Sequence, residues 1–181
     1  MAAELEIRVA AAARDVMANE QIYVKLVDSA IEVESLRNRV DDPDSGAHGW
    51  FLGVTRRTTG DRVTDTLFYE AHPRMAQSEM QKLAEEALQR FSLLHLVLVH
   101  RLGEVPVGEA SVVVGCSSAH RVDTFAAMAW VMDTLKRDVP IWKRELYSDG
   151  TTEWVHPGET GDGDLNDGNP SDGDPRTGAD R

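Results

Sequence analysis

Apolar positions recur along this chain with two different periods, and stretches of the two periods alternate. Between residues 21 and 27, Ile22, Val24 and Leu26 fall at every second position, the period of a strand with one buried face. Residues 31–40 have the pattern of a short helix, closed by Asp41-Asp42-Pro43-Asp44-Ser45-Gly46. Residues 49–54 and 62–70 read as further strands. Pro73 suits a helix start, where its missing N–H is not needed. Behind it, Met80, Leu83, Ala84, Ala87, Leu88 and Phe91 are spaced for one face of an amphipathic helix. Residues 93–99 and 110–116 are apolar runs of strand length. A second helix is predicted over 121–137, stopped ahead of Pro140. Ile141–Tyr147 is a predicted strand and Thr152–Val155 a final one. Strands outnumber helices, and links such as 103–109 are too short for a parallel crossover. The pattern predicts an α+β domain with a largely antiparallel sheet.

This domain occupies residues 21–156 of the 181. Residues 1–20 form an Ala-rich N-terminal extension. The segment 157–181 carries seven acids against two bases and one sizeable apolar residue, Leu165. Such a composition cannot bury enough surface to offset its ordering entropy, so it reads as a disordered acidic Gly/Asp-rich tail. Its Asp/Gly alternation lacks the closing Glu of a calcium loop. A net charge of -12 argues against nucleic-acid and anionic-membrane partners, which require a basic footprint. Cys116 is the only cysteine, so neither an intrachain disulfide nor a Cys-based zinc cluster is available. With no signal-peptide start and no span-length apolar run, a cytoplasmic location is expected.

The candidate chemistry is cationic. On an ideal helix, Phe125, Met128, Ala129, Met132 and Leu135 share a face with Lys136 and Arg121. Either the two cations face a pocket, or Lys136 snorkels from the helix end and Arg121 lies past the core's edge; the helix alone favours the second. Ser117 or Ser118 is placed to cap this helix, and N–H groups there beside His120 and Arg121 suit an anion. In the strand Ile141–Tyr147, Lys143 and Glu145 alternate onto the face of Ile141, and Trp142 and Arg144 onto the other. A lysine on an apolar face suits acid/base work, whereas an edge strand carrying protective charges is the common alternative. Arg56 and Arg57 follow a buried strand, and arginine suits bidentate phosphate binding. No helix-borne His pair, phosphate loop or nucleophile elbow is present.

Several motifs together resemble one family. Phe51-Leu52-Gly53-Val54-Thr55-Arg56 is similar to a Phe-x-Gly-x-x-Arg motif of the molybdopterin synthase large-subunit family. Tyr69-Glu70-Ala71-His72-Pro73, His100-Arg101-Leu102-Gly103 and Ser118-Ala119-His120-Arg121 resemble its later motifs in order. Lys136 and Pro140-Ile141-Trp142-Lys143-Arg144-Glu145 resemble its Lys followed by Pro-x-Trp-Lys-x-Glu. The resemblance covers roughly residues 22–155. It implies an α/β hammerhead-type fold and a homodimer. Each subunit is expected to dock a small ubiquitin-like sulfur carrier, giving a heterotetramer. The carrier's Gly-Gly tail ends as a thiocarboxylate, which supplies two sulfurs to cyclic pyranopterin monophosphate and so makes the dithiolene of molybdopterin. No metal and no cofactor is implied. By position, the substrate contacts fall on Val54, Thr55, Arg56, His120, Arg121, Lys136, Lys143, Arg144 and Glu145, with Lys136 and Lys143 as the catalytic pair. Arg56, His120 and Arg121 are expected to hold the phosphate, some of them from the opposite subunit. Arg57, where relatives often have Asn or Asp, and the bulky Trp50 depart from the pattern.

Two other readings compete: a catalytically silent scaffold of the same fold, and a phosphoester hydrolase using the same cationic pocket. Lys136, Lys143, His120 and Arg121 argue against the first, and the lack of a nucleophile or metal-ligand motif against the second.

Overall fold

In the computed structural model, residues 21–155 are described; the extension 1–20, His156 and the acidic tail lie outside the described residues. Two sheets form the framework. The first contains β1 (Ile22–Val27), β2 (Ala47–Val54), β5 (Leu93–Arg101) and β7 (Ala110–Ser118), in the order β1-β5-β7-β2. The β1–β5 pair is parallel and the other two pairs are antiparallel. The second contains β3 (Thr58–Thr59), β4 (Arg62–Ala71), β8 (Ile141–Tyr147) and β9 (Thr152–Val155), with β6 (Gly103–Pro106) also paired to β4. All its pairs are antiparallel.

β5 and β7 are continuous apolar runs because the first sheet is covered on both faces. Leu96, Leu98, Val112, Val114 and Cys116 meet helices α1 (Pro73–Arg90) and α2 (Arg121–Asp138). Val97, Val99 and Val113 point the other way, onto Leu36 and Val40. Those two belong to Val33–Val40, which is 3-10 rather than α-helical. A segment this short, with no side-chain cap, gains little from α geometry and winds tightly enough to bury two residues.

α1 buries Ala76, Met80, Leu83, Ala84 and Ala87, in line with the spacing that predicted it. Its Gln77 accepts from Leu26 N–H at 3.1 Å and donates to Val24 C=O at 2.9 Å, covering the outer edge of β1.

The face of α2 is a correction. The residues turned to the sheet are Thr124, Ala127, Val131, Met132, Thr134 and Leu135, whereas Phe125 is 64% exposed and Ala129, Arg121 and Lys136 are exposed too. The cause is close approach. A Cβ on Gly49 of β2 would stand 2.5 Å from both Thr124 Cγ2 and Met128 Sδ. Small Thr124 and Ala127 let the helix settle there, so the buried stripe begins one position earlier than the bulk of Phe125 suggests. Neither Ser117 nor Ser118 caps α2; its N-cap is His120, with no side-chain hydrogen bond. Ser118 instead bonds His120 C=O at 2.8 Å and the Thr124 hydroxyl at 2.6 Å. β3 and β6 are strands the sequence pattern did not show. β6 begins at Gly103, whose φ of +77° turns the chain out of β5 onto β4.

Candidate active site

β8 is an inner strand, between β4 and β9, so its charges do not guard an edge. Its register pairs Lys143 with Tyr69, Glu145 with Leu67 and Ile141 with Ala71. Directly paired residues project from the same face, so Tyr69, Lys143 and Glu145 share one side of the sheet. Glu145 is 2% exposed and accepts hydrogen bonds from the hydroxyls of Thr64 and of Thr59, the latter at 2.7 Å. A buried carboxylate is costly without such donors. Thr64 also donates its N–H to Arg57 C=O at 2.8 Å. Two hydrogen bonds therefore join Glu145 to the backbone beside Arg56.

The segment after β2 is anchored by Thr55, which is 1% exposed. Its hydroxyl donates to Val105 C=O at 3.1 Å, its N–H to Glu109 C=O at 3.0 Å, and its C=O accepts from Gly108 N–H at 2.8 Å. With Thr55 held, Val54 and Arg56 on either side are left at the surface. Sequence reasoning treated Thr55 as a contact residue; here its side chain is part of the scaffold.

Tyr69, Ser111 and His100 were not singled out for a role. The Tyr69 ring meets the His100 ring edge-on at 5.0 Å. Burial raises the Tyr69 pKa, opposed by the nearby Ser111 hydroxyl and reinforced by the charge of Glu145. Burial also lowers His100 to about 4, so its ring is neutral near pH 7. Its Nδ1 lies 2.9 Å from Arg101 C=O, which only accepts, so Nδ1 carries the proton. Strand alternation could have placed Tyr69 with Leu67; nothing local could have shown that it reaches the other sheet.

Arg144 lies on the opposite face of the second sheet from Lys143, with Trp142. Its guanidinium sits 5.2 Å from the Phe68 ring and 5.5 Å from the Trp154 ring, and its buried Nε has no hydrogen-bond partner. Cys116 is fully buried, and burial pushes its thiol up to about 12, so it carries no thiolate chemistry.

The predicted site residues fall into two groups. Val54, Thr55, Arg56, Lys143, Arg144 and Glu145 lie around β4. Lys136 sits in the last turn of α2, just before the chain enters β8. His120 and Arg121 lie elsewhere. Ala47 pairs with Ser118 at one end of β2 and Val54 with Ala110 at the other, roughly 24 Å away at about 3.4 Å per residue. Arg121 and Lys136 stand roughly 22 Å apart along α2 at about 1.5 Å per residue. One chain therefore does not bring all its predicted phosphate ligands together.

A family model described as the MoaE protein matches residues 26–138. The molybdopterin synthase catalytic subunit of Emericella nidulans is 38% identical over 133 residues, which are 74% of this chain and 68% of that one. That of Thermoplasma volcanium is 41% identical over 133 residues, 73% of this chain and 96% of its own length. The crystal structure of molybdopterin synthase from Staphylococcus aureus superposes with a TM-score of 0.68 at 29% identity, covering 72% of this chain and 95% of that one. On its sequence, its two-sheet architecture and the motifs gathered around β4, this chain belongs to the MoaE family of molybdopterin synthase catalytic subunits.

Proposed function

We propose that the chain is the catalytic subunit of a molybdopterin synthase in the cytoplasm. It converts cyclic pyranopterin monophosphate to molybdopterin, taking two sulfurs from the C-terminal thiocarboxylate of a small ubiquitin-like carrier. The observation that carries this reading is the grouping of Lys143 and Glu145 with Arg56, on a chain of this family.

The chemistry asks for cations. The carrier arrives as a thiocarboxylate anion and the pterin as a phosphate, so both reactants are negative. The thiocarboxylate sulfur attacks an oxygen-bearing carbon of the pterin; the C–S bond forms as that carbon's C–O bond breaks, the departing oxygen takes up a proton, and a thioester-like intermediate results. Water then splits the bond between that sulfur and the carrier's carbonyl carbon, which leaves sulfur on the pterin and a carboxylate on the carrier. Lys143 serves as acid/base or stabilises the intermediate. Lys136 orients the carrier's terminal carboxylate and neutralises developing charge. Arg56 holds the phosphate, an anion that guanidinium matches in a bidentate manner. The reaction needs no resident metal or cofactor.

A homodimer supplies His120 and Arg121. β2 pairs only with β7 among the described residues, and Phe51, Leu52 and Val54 along it are 37%, 41% and 48% exposed. Val122 and Phe125 at the start of the adjoining α2 add to this apolar surface. A twofold pairing of two β2 edges is antiparallel and sets the Ala47 end of one copy against the Val54 end of the other. It thereby carries one protomer's His120 and Arg121 towards its partner's Arg56. With one carrier per protomer, the assembly is a heterotetramer of domains spanning residues 21–156.

Reconstitution tests the reading. The protein is mixed with thiocarboxylated carrier and cyclic pyranopterin monophosphate, and molybdopterin is assayed, with Lys143→Ala and Lys136→Ala in parallel. Product from the wild type and a loss of about a hundredfold or more in each variant is the expected result. No product despite bound carrier leaves a scaffold, and phosphoester turnover without carrier reveals a hydrolase.

A further inference from the structure

His120 and Arg121 stand where the chain leaves β7 for α2, so some contact has to fix that link if the two are to hold an anion. Ser118 is placed to do this. It ends β7, paired with Ala47 of β2 on one side and Leu93 of β5 on the other, so its backbone is built into the sheet. It lies two residues ahead of the N-cap and does not cap the helix. Its hydroxyl donates instead to His120 C=O at 2.8 Å, a carbonyl that also accepts from Asp123 N–H at 3.1 Å. A serine hydroxyl has one proton, so the Thr124 hydroxyl, 2.6 Å away, donates to Ser118 Oγ. The relay runs from the fourth residue of α2 through Ser118 to the His120 carbonyl. The loop before β2 adds a third hold. Gly46 N–H donates to Ser118 C=O at 3.1 Å, and a Cβ on Gly46 would collide with Ala119 C=O. Sheet, helix and loop thus fix the link, while His120 and Arg121 themselves are exposed.

Packing alone does not explain the two hydroxyls. Ser118 is 0% and Thr124 1% exposed. Alanine and valine would fill these spaces without burying polar groups, which are unfavourable unless bonded. We propose that Ser118 and Thr124 are positioning residues, whose paired hydroxyls lock the His120 carbonyl and so set His120 and Arg121 for the phosphate in the partner's site. The inference rests on the synthase reading above, including its twofold pairing. The two buried hydroxyls act through the backbone of His120 and do not touch the substrate.

The test is reconstituted molybdopterin synthesis with full-length Ser118→Ala, Thr124→Val and Thr124→Ser, with carrier affinity measured separately. Ser118→Ala and Thr124→Val are each expected to raise KM for cyclic pyranopterin monophosphate about tenfold, in line with one misplaced phosphate contact. Their kcat stays within about twofold, because a hold on the phosphate serves ground and transition states alike. Thr124→Ser keeps the hydroxyl and a KM near wild type, and carrier affinity is unchanged throughout. A second measurement locates the effect. In an excess of Lys143→Ala protein, nearly every Ser118→Ala chain sits in a mixed dimer, where its Lys143 works with the intact His120 and Arg121 of the other chain. KM should then return to wild type, whereas a general loosening of the fold would follow the Ser118→Ala chain into the mixed dimer. If Ser118→Ala fails to fold, Thr124→Val carries both measurements. Four results overturn the proposal: KM within twofold of wild type in both variants, Thr124→Ser as impaired as Thr124→Val, a parallel fall in carrier affinity, or a raised KM that persists in the mixed dimer. Absence of product from the wild type sinks the synthase reading itself. Normal wild-type synthesis with any of the four sinks only this inference.

Discussion

His100→Phe should make the protein less sensitive to mild acid, although it removes a hydrogen bond. His100 is 5% exposed, and burial lowers its pKa to about 4 from an ordinary 6.5. Between those values the unfolded chain binds a proton at this position and the folded chain does not. Stability contributed by the neutral imidazole is therefore complete above about pH 6.5 and is lost as pH falls towards 4. At about 1.36 kcal/mol per pH unit the full loss is about 3 kcal/mol, of which about 2 kcal/mol has gone by pH 5. For a folded body of this size that corresponds to a fall in Tm of roughly 5–10 °C. The phenylalanine ring keeps the edge-on contact with Tyr69 and cannot titrate. It gives up the bond to Arg101 C=O, so the variant starts about 1 kcal/mol lower at pH 7.5. The assay is urea unfolding of both proteins at pH 7.5 and pH 5. Other titrating groups are common to both, so the difference between the two pH-induced changes isolates His100. If the variant loses as much stability as the wild type over that interval, the ring is protonated in the folded state or reached by water, and the argument fails.

Mixing Arg121→Ala with Lys143→Ala protein, each inactive alone, should restore about a quarter of the wild-type sites through mixed dimers; molybdopterin assay after subunit exchange reads this, and no recovery would place both groups in one chain's site. Gly49→Ala should lower stability by about 1–3 kcal/mol in denaturant titration, because its Cβ would stand 2.5 Å from Thr124 and Met128, while leaving the residues around β4 untouched. Cys116 should resist thiol reagents at pH 8 in the native protein and react once unfolded; rapid native labelling would contradict its burial and raised pKa.

The alternation of Ile22, Val24 and Leu26 and the helical spacing of Met80, Leu83, Ala84 and Ala87 foretold β1 and α1, because each element buries one face and local period reports that face. The uninterrupted apolar runs of β5 and β7 likewise belong to strands covered on both sides. Motif order pointed to Lys136, Lys143, Arg56, His120 and Arg121 through the resemblance to the family, and their cationic character suits anionic reactants. Three matters were settled elsewhere. The stripe of α2 was misread because bulk at Phe125 outweighed the small Thr124 and Ala127, whose fit against Gly49 is a contact across some 75 residues of chain. β6 escaped notice because a four-residue strand needs only an open edge on β4, and no period can show so short a run. Tyr69 is the clearest case. Its own strand places it beside Lys143, but its ring contact is with His100 on another sheet, and local spacing carries no record of which strands lie side by side. Residue chemistry and local period are written in the sequence itself. Which charges meet, and which are held roughly 24 Å apart, is decided by strand order and register, because these depend on contacts between segments remote in the chain.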